Sequence, residues 1–222
     1  MEIIRRVCAL LEEAYRRPEF DPVVGPLDEL VLTILSQNTS AVNCRRAFAN
    51  LRERFKSWDE VRRADTREIE DAIRVGGLAG VKAGRIKKLL EKIKGLRGRL
   101  ELDFLGDMPD KDARAFLMQF DGVGIKTASC VLMFSLGRPV FPVDTHVHRV
   151  ARRLGLIGPS VSAEAAHKIL QAMVPAVLVY SLHVNLVRHG RQVCKARNPT
   201  CDLCVLLSVC PWGQSHLASG GA

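Results

Sequence analysis

No stretch of this 222-residue chain reaches the roughly 20 apolar residues that a membrane-spanning helix needs. The longest candidate, MVPAVLVYSLHVNLV, is interrupted by Pro175, Ser181, His183 and Asn185. The opening MEIIRRVCALLEEAYRR carries charges where a signal peptide needs an apolar core, so a cytosolic, nucleoid-associated protein with no membrane partner is expected. Strict alternation of apolar and polar residues is also missing, which argues against a sheet protein. There is no internal repeat and no low-complexity linker; only the end, GQSHLASGGA, is rich in glycine and serine and reads as a frayed tail. Acidic residues are scarce beside basic ones, 24 against 33, leaving a formal charge of +9. That excess favours an anionic partner, nucleic acid before a membrane surface.

What is present is helical. With 47% hydrophobic residues the chain can bury a core as one domain or two small ones. Apolar residues recur at spacings of three and four almost throughout, so the expected class is all-α in two layers of helices. Pro26 opens DELVLTILSQ; Ser57 with Glu60 and Asp65 with Glu68 form capping boxes ahead of EVRRA and EIEDAIRV, the latter ended by Gly76 and Gly77. Further helices are expected near 81–95, 110–120, 125–136, 145–154, 163–173 and 178–193.

Of seven cysteines, Cys8, Cys44 and Cys130 sit singly in apolar helical patterns and read as small buried hydrophobes. The other four, Cys194, Cys201, Cys204 and Cys210, fall within seventeen residues in the order C-x6-C-x2-C-x5-C. In a reducing compartment such crowding reads as a metal site. Structural zinc prefers two close pairs, whereas one extended loop of four thiolates can wrap a 4Fe-4S cluster, so spacing leans modestly towards the cluster. Arg191, Lys195 and Arg197 would offset thiolate charge and leave a basic surface suited to phosphate.

The segment DGVGIKTA, residues 121–128, places a glycine turn between two amphipathic helices. Gly122, Val123 and Gly124 would bring backbone N–H groups against a phosphate oxygen, and the dipole of the following helix adds positive potential. Lys126 falls in that helix's first turn, where the dipole disfavours a cation and so favours the neutral amine that nucleophilic attack requires. A lysine reaching for phosphate fits the same placement. Eighteen residues on, in FPVDTHVHRVARRL, Asp144 stands as a helix N-cap, a role that keeps its carboxylate ionised and able to stabilise a sugar cation. His146 and His148 beside it lack partners at metal-ligand spacing.

Together LSQNTS (35–40), GGLAGVKA (76–83), GVGIKTA (122–128), VDTHVHRV (143–150) and HGRQVC with its cysteine pattern resemble the endonuclease III family of helix-hairpin-helix DNA glycosylases. The resemblance runs from about residue 20 to 212. It implies two helical domains flanking a DNA cleft: a six-helix bundle over 23–137 that carries the hairpin, and an iron–sulfur domain made of 1–22 and 138–222. It implies Lys126 as the Schiff-base nucleophile, Asp144 as the essential carboxylate, and Cys194, Cys201, Cys204 and Cys210 as ligands of a 4Fe-4S cluster. Gln37 would fill the gap left by an extruded nucleotide and Leu78 would wedge into the base stack, while Gly122, Val123, Gly124, His146 and Arg191 would contact DNA. The implied partner is double-stranded DNA with damaged bases or abasic sites, bound by a monomer. The implied activity is that of a bifunctional glycosylase and AP lyase on oxidised pyrimidines. A monofunctional glycosylase and a non-catalytic lesion-binding protein are the alternatives. The family hairpin usually reads PGVGRKTA, so Asp121 replaces a rigid proline and Ile125 a basic residue; both changes should weaken phosphate binding. Ser40 stands where an aspartate is common.

Overall fold

A computed structural model describes residues 2–22 and 24–220. Among them the chain forms α-helices and short 3-10 turns, with no strand. It divides into two compact units, one drawn from Met1–Asp21 and Pro139–Ala222, the other from Pro22–Arg138. No single helix among the described residues is long and apolar enough to cross a membrane.

The Pro22–Arg138 unit holds α2 (Pro26–Ser36), α3 (Ala41–Arg54), α4 (Trp58–Arg63), α5 (Thr66–Ile73), α6 (Ala79–Arg97), α7 (Asp110–Met118) and α8 (Ile125–Leu136). Local chemistry starts these helices where the sequence signals them. Pro26 occupies the first turn of α2, whose missing N–H costs nothing there. Ser40 caps α3 by accepting from the Asn43 N–H, so it fills the capping role open to the aspartate it replaces. The Asp65/Glu68 box closes fully. That of Ser57 closes by half: its hydroxyl accepts from Glu60 N–H, but the Glu60 carboxylate takes the Lys56 N–H instead of that of Ser57. Helix α2 packs on α3 and α8, α5 on α3 and α6, and α7 on α8. Leu30, Ile34, Leu35, Leu51, Ile69, Ile73, Ile86 and Leu90 are fully buried at those seams, each worth roughly 1.5–3 kcal/mol of burial.

The other unit contains α1 (Glu2–Tyr15), α9 (Thr145–Arg153), α10 (Ala163–Met173), α11 (Val179–Gln192) and α12 (Pro211–Ala218). Helix α11 packs against both α1 and α9, although α1 lies at the opposite end of the sequence. The Tyr15 hydroxyl meets His189 Nδ1 at 2.9 Å across that seam. The glycine- and serine-rich end departs from the frayed tail expected of it, for it is helical through Ala218. Pro211 starts the helix, the Cys210 thiol caps it from Gly213 N–H, and the Gln214 amide binds the Leu207 and Ser208 carbonyls. Gly221 and Ala222 lie outside the described residues.

Candidate active site and cysteine pocket

The hairpin forms as α7, a turn over Gln119–Gly124, and α8. Phe120 and Val123 are buried and anchor the turn, while Gly122 and Gly124 face outwards. Gly122 has φ +77°, a left-handed conformation glycine adopts without strain. No side chain caps α8, so its first N–H groups and their dipole are offered to an anion. Lys126, its second residue, is half-buried. Asp121 is exposed on the same turn.

Gln37, just beyond α2, is drawn to this turn. Its amide nitrogen donates to the Gly122 carbonyl at 3.0 Å, and its oxygen accepts from Arg85 Nη1 at 3.0 Å. The Arg85 stem lies over Gly122 so closely that a Cβ there would stand 3.1 Å from it and the arginine would have to shift by a few tenths of an ångström. Leu78 precedes α6 with φ +51° and remains 57% exposed. An exposed leucine in the left-handed region, at a cost of about 1–2 kcal/mol, marks a site where fold stability is traded for position.

Lys82, four residues on, explains how that position is held. It is the largest fully buried side chain of the described core. Its ammonium donates to the Leu35 carbonyl at 2.7 Å, Thr39 Oγ1 at 2.7 Å and the Gly76 carbonyl at 2.9 Å. All three donors are used, and the Thr39 hydroxyl in turn donates a hydrogen bond to the Gly76 carbonyl. Burial lowers the affinity of Lys82 for its proton. The ammonium therefore stitches the Gln37 loop to the turn that presents Leu78. Neither Lys82 nor Arg85 was singled out from sequence. The one available signal was the lysine on the otherwise buried face of GGLAGVKA, and basic residues at i and i+3 on a helix usually face water.

In the other unit Asp144 caps α9, its carboxylate accepting from Val147 N–H at 2.7 Å. His146 follows on the exposed turn and is half-buried; its Nδ1 faces Arg149 Nη2 at 3.0 Å. Burial lowers the His146 pKa, Asp144 raises it, and Arg149 and Arg191 lower it again. An arginine donating to Nδ1 fixes that nitrogen as an acceptor. Arg149 also holds the Gly190 and Cys194 carbonyls, and a Cβ at Gly190 would come within 2.9 Å of His146 Cβ. Close approach of α9 and α11 thus demands that glycine. Arg191 is exposed at the end of α11. His148 uses Nε2 to bind the Val161 carbonyl, a structural contact.

Cys194, Cys201, Cys204 and Cys210 line a single pocket together with Arg153, His189 and Trp212. All four are free thiols. Burial, joined by repulsion among the thiols, raises Cys201 and Cys210, and lifts Cys204 to about 11. Arg153 donates to Cys194 Sγ at 3.2 Å and stacks on Trp212 at 3.9 Å; Gly213 N–H donates to Cys210 Sγ. Among the described residues no three His, Cys, Asp or Glu side chains converge closely enough to hold one metal ion. Four sulfur donors spread around a pocket, with N–H donors on Cys194 and Cys210, match a polynuclear cluster better than a tetrahedral zinc site, whose ligands sit about 2.3 Å from one point. The arginines of α9 that order this loop, Arg149 and Arg153, are four apart on one face; neither stands among the basic residues that the sequence places around the cysteines, Arg191, Lys195 and Arg197.

A family model described as "HhH-GPD superfamily base excision DNA repair protein" matches residues 31–176. The chain belongs to this superfamily of helix-hairpin-helix proteins and, within it, to the endonuclease III family. Endonuclease III of Sulfolobus acidocaldarius is 36% identical over 185 residues, 82% of this chain and 80% of that protein. An Arabidopsis thaliana protein provisionally named a DNA glycosylase is 41% identical over 184 residues; the match takes in 83% of this chain but only 62% of the plant protein's length. Among solved structures, a non-covalent endonuclease III–DNA complex superposes with a TM-score of 0.85 at 28% identity, covering 98% of each chain. A trapped endonuclease III–DNA covalent intermediate gives 0.84 at 28% identity, covering 97% and 98%.

Proposed function

We propose that this protein is a bifunctional DNA glycosylase and AP lyase that removes oxidised pyrimidines from duplex DNA in base excision repair. The observation that carries the reading is the uncapped start of α8, where an exposed glycine turn and Lys126 stand side by side. Its support from relatives is that an endonuclease III of the same fold has been trapped covalently on DNA.

In this mechanism the turn at Gly122–Gly124 and the α8 dipole grip one phosphate without reading sequence. Leu78 and Gln37 enter the stack and offset the few kcal/mol needed to extrude a nucleotide. The Lys126 amine attacks C1′ of that nucleotide, the N–C1′ bond forms, and the damaged base leaves with the glycosidic electron pair. Asp144, whose carboxylate accepts from the Val147 N–H, stabilises positive charge developing on the sugar. The imine then permits β-elimination, which cuts the strand 3′ to the lesion. The four cysteines would hold a 4Fe-4S cluster. Bound there, it supplies four metal–thiolate links that brace the loop; Arg149, Arg153 and Arg191 set the positive surface of this region towards phosphate.

Sodium borohydride added during turnover of a single-lesion duplex should trap a protein–DNA adduct in the wild type and none in Lys126→Ala. An adduct that persists in Lys126→Ala removes the nucleophile assignment, and base release without strand cutting identifies a monofunctional enzyme.

A further inference from the structure

Beside the family pattern, this hairpin is short of positive charge: Ile125 stands in place of a basic residue, and Asp121 adds an exposed carboxylate. A cation from another helix lies against it. Arg85, in the second turn of α6, is half-buried. Its side chain crosses Gly122, with Cδ, Nε and Cζ at 3.1, 3.2 and 3.3 Å from the place a Cβ on that glycine would take. Arg85 Nη1 donates to Gln37 Oε1 at 3.0 Å, and the Gln37 amide nitrogen donates to the Gly122 carbonyl at 3.0 Å. An arginine carries five N–H donors in a rigid fork, and among the described residues Gln37 is the one hydrogen-bond partner of Arg85. Neither Arg85 nor Asp121 takes part in an ion pair among those residues.

We propose that Arg85 is a DNA-binding residue of the hairpin: it grips a backbone phosphate beside the Gly122–Gly124 turn and supplies the positive charge that the turn lacks at position 125. The inference rests on the proposed function, in which this turn meets a DNA strand. Nε and Nη2 form the edge of a guanidinium that pairs with two phosphate oxygens at once. Nη1 keeps its bond to Gln37 meanwhile, so the clasp and the phosphate contact use different donors of one side chain.

The placement fits that task. Asp121 alone would repel a phosphate from the turn, and a cation lying over the next residue, Gly122, offsets that charge. A long arginine usually gives up much rotamer freedom when it binds; here the bond to Gln37 has ordered it beforehand, and a fork ordered in advance loses less on meeting its ligand. In the proposed mechanism Gln37 fills the gap left by the extruded nucleotide. One arginine thus links the grip on the strand to the residue that enters the stack, all within the Pro22–Arg138 unit.

The test is fluorescence anisotropy of the full-length holoprotein on a duplex carrying a tetrahydrofuran abasic analogue, with Kd measured between about 50 and 200 mM KCl. Each phosphate that a cation neutralises adds about 0.9 to the slope of log Kd against log salt. Arg85→Gln should flatten the slope by about 0.9 and weaken binding about ten-fold at the low-salt end. Adding Ile125→Arg to that variant should recover both. Gln37→Ala, which removes the clasp and leaves the charge, should keep the wild-type slope. An unchanged slope in Arg85→Gln overturns the proposal. Equal flattening in Gln37→Ala also overturns it, by giving Arg85 no task beyond holding Gln37, and so does a slope that Ile125→Arg fails to recover. A wild type that does not bind the duplex overturns the glycosylase reading instead. Should Arg85→Gln not fold, the Arg85 Nε–H resonance of the wild type decides: a downfield shift on adding duplex supports the phosphate contact, and an unmoved signal refutes it.

Discussion

Asp144 caps α9 and, in the proposed mechanism, would also serve as the anion facing the sugar; a single substitution separates the two. Asparagine caps helices as well as aspartate does, so Asp144→Asn should keep the bond from Val147 N–H and change thermal stability by less than about 0.5 kcal/mol. It removes the charge, however, and base release should fall by roughly 100-fold or more. A stable variant with full activity, measured by calorimetry beside a glycosylase assay, would mean that the anion has no catalytic part. The capping role was readable in the sequence, because an N-cap depends only on residues up to three positions away. Glu29 was not readable: it looks like any acidic residue in a helix's first turn, and only burial in the folded protein pushes its carboxyl up.

At the scale of elements, the start of α6 and the loop after α2 behave as one piece because Lys82 joins them. Replacing Lys82 by methionine keeps the volume but leaves the Leu35, Thr39 and Gly76 oxygens without its donors. Orphaned buried acceptors cost about 1–3 kcal/mol each, while removing an unpaired buried ammonium returns part of that. The expected net loss is about 2 kcal/mol in urea denaturation. The sharper readout is extrusion: 2-aminopurine opposite or beside the lesion should brighten less with Lys82→Met than with the wild type, while cutting of a single-stranded abasic site should hold. Equal brightening would show that Leu78 and Gln37 keep their places without the strut. Helix starts and stops at this scale were legible from Pro26, Asp65 and the paired glycines at 76–77, since propensity and capping act over one turn. The half-closed box at Ser57 was not, because Glu60 had a second amide, that of Lys56, within equal reach.

For the molecule as a whole, the proposed function gives the excess of basic charge and the cysteine pocket their part in binding DNA. Purified aerobically, it should be straw-brown and contain about four irons and four sulfides per chain. A colourless protein carrying one zinc would refute the cluster. Oxidative loss of the cluster with a chelator should loosen 194–210 and weaken duplex binding, while circular dichroism of the Pro22–Arg138 bundle changes little, because that unit has its own buried core.

The chain by itself determined an all-helical architecture, the hairpin with its lysine, the capped aspartate and the crowding of four cysteines. Each of these is written in near neighbours, through a period of 3.6, a turn that needs glycine or a ligand spacing. Tertiary structure alone decided that Lys82 is buried and spent on three oxygens, that Arg85 clasps Gln37 to the hairpin, and that Arg149 and Arg153 order the cysteine loop. Those roles arise from residues tens of positions apart, and a charged side chain discloses its partners only after packing has removed the water around it.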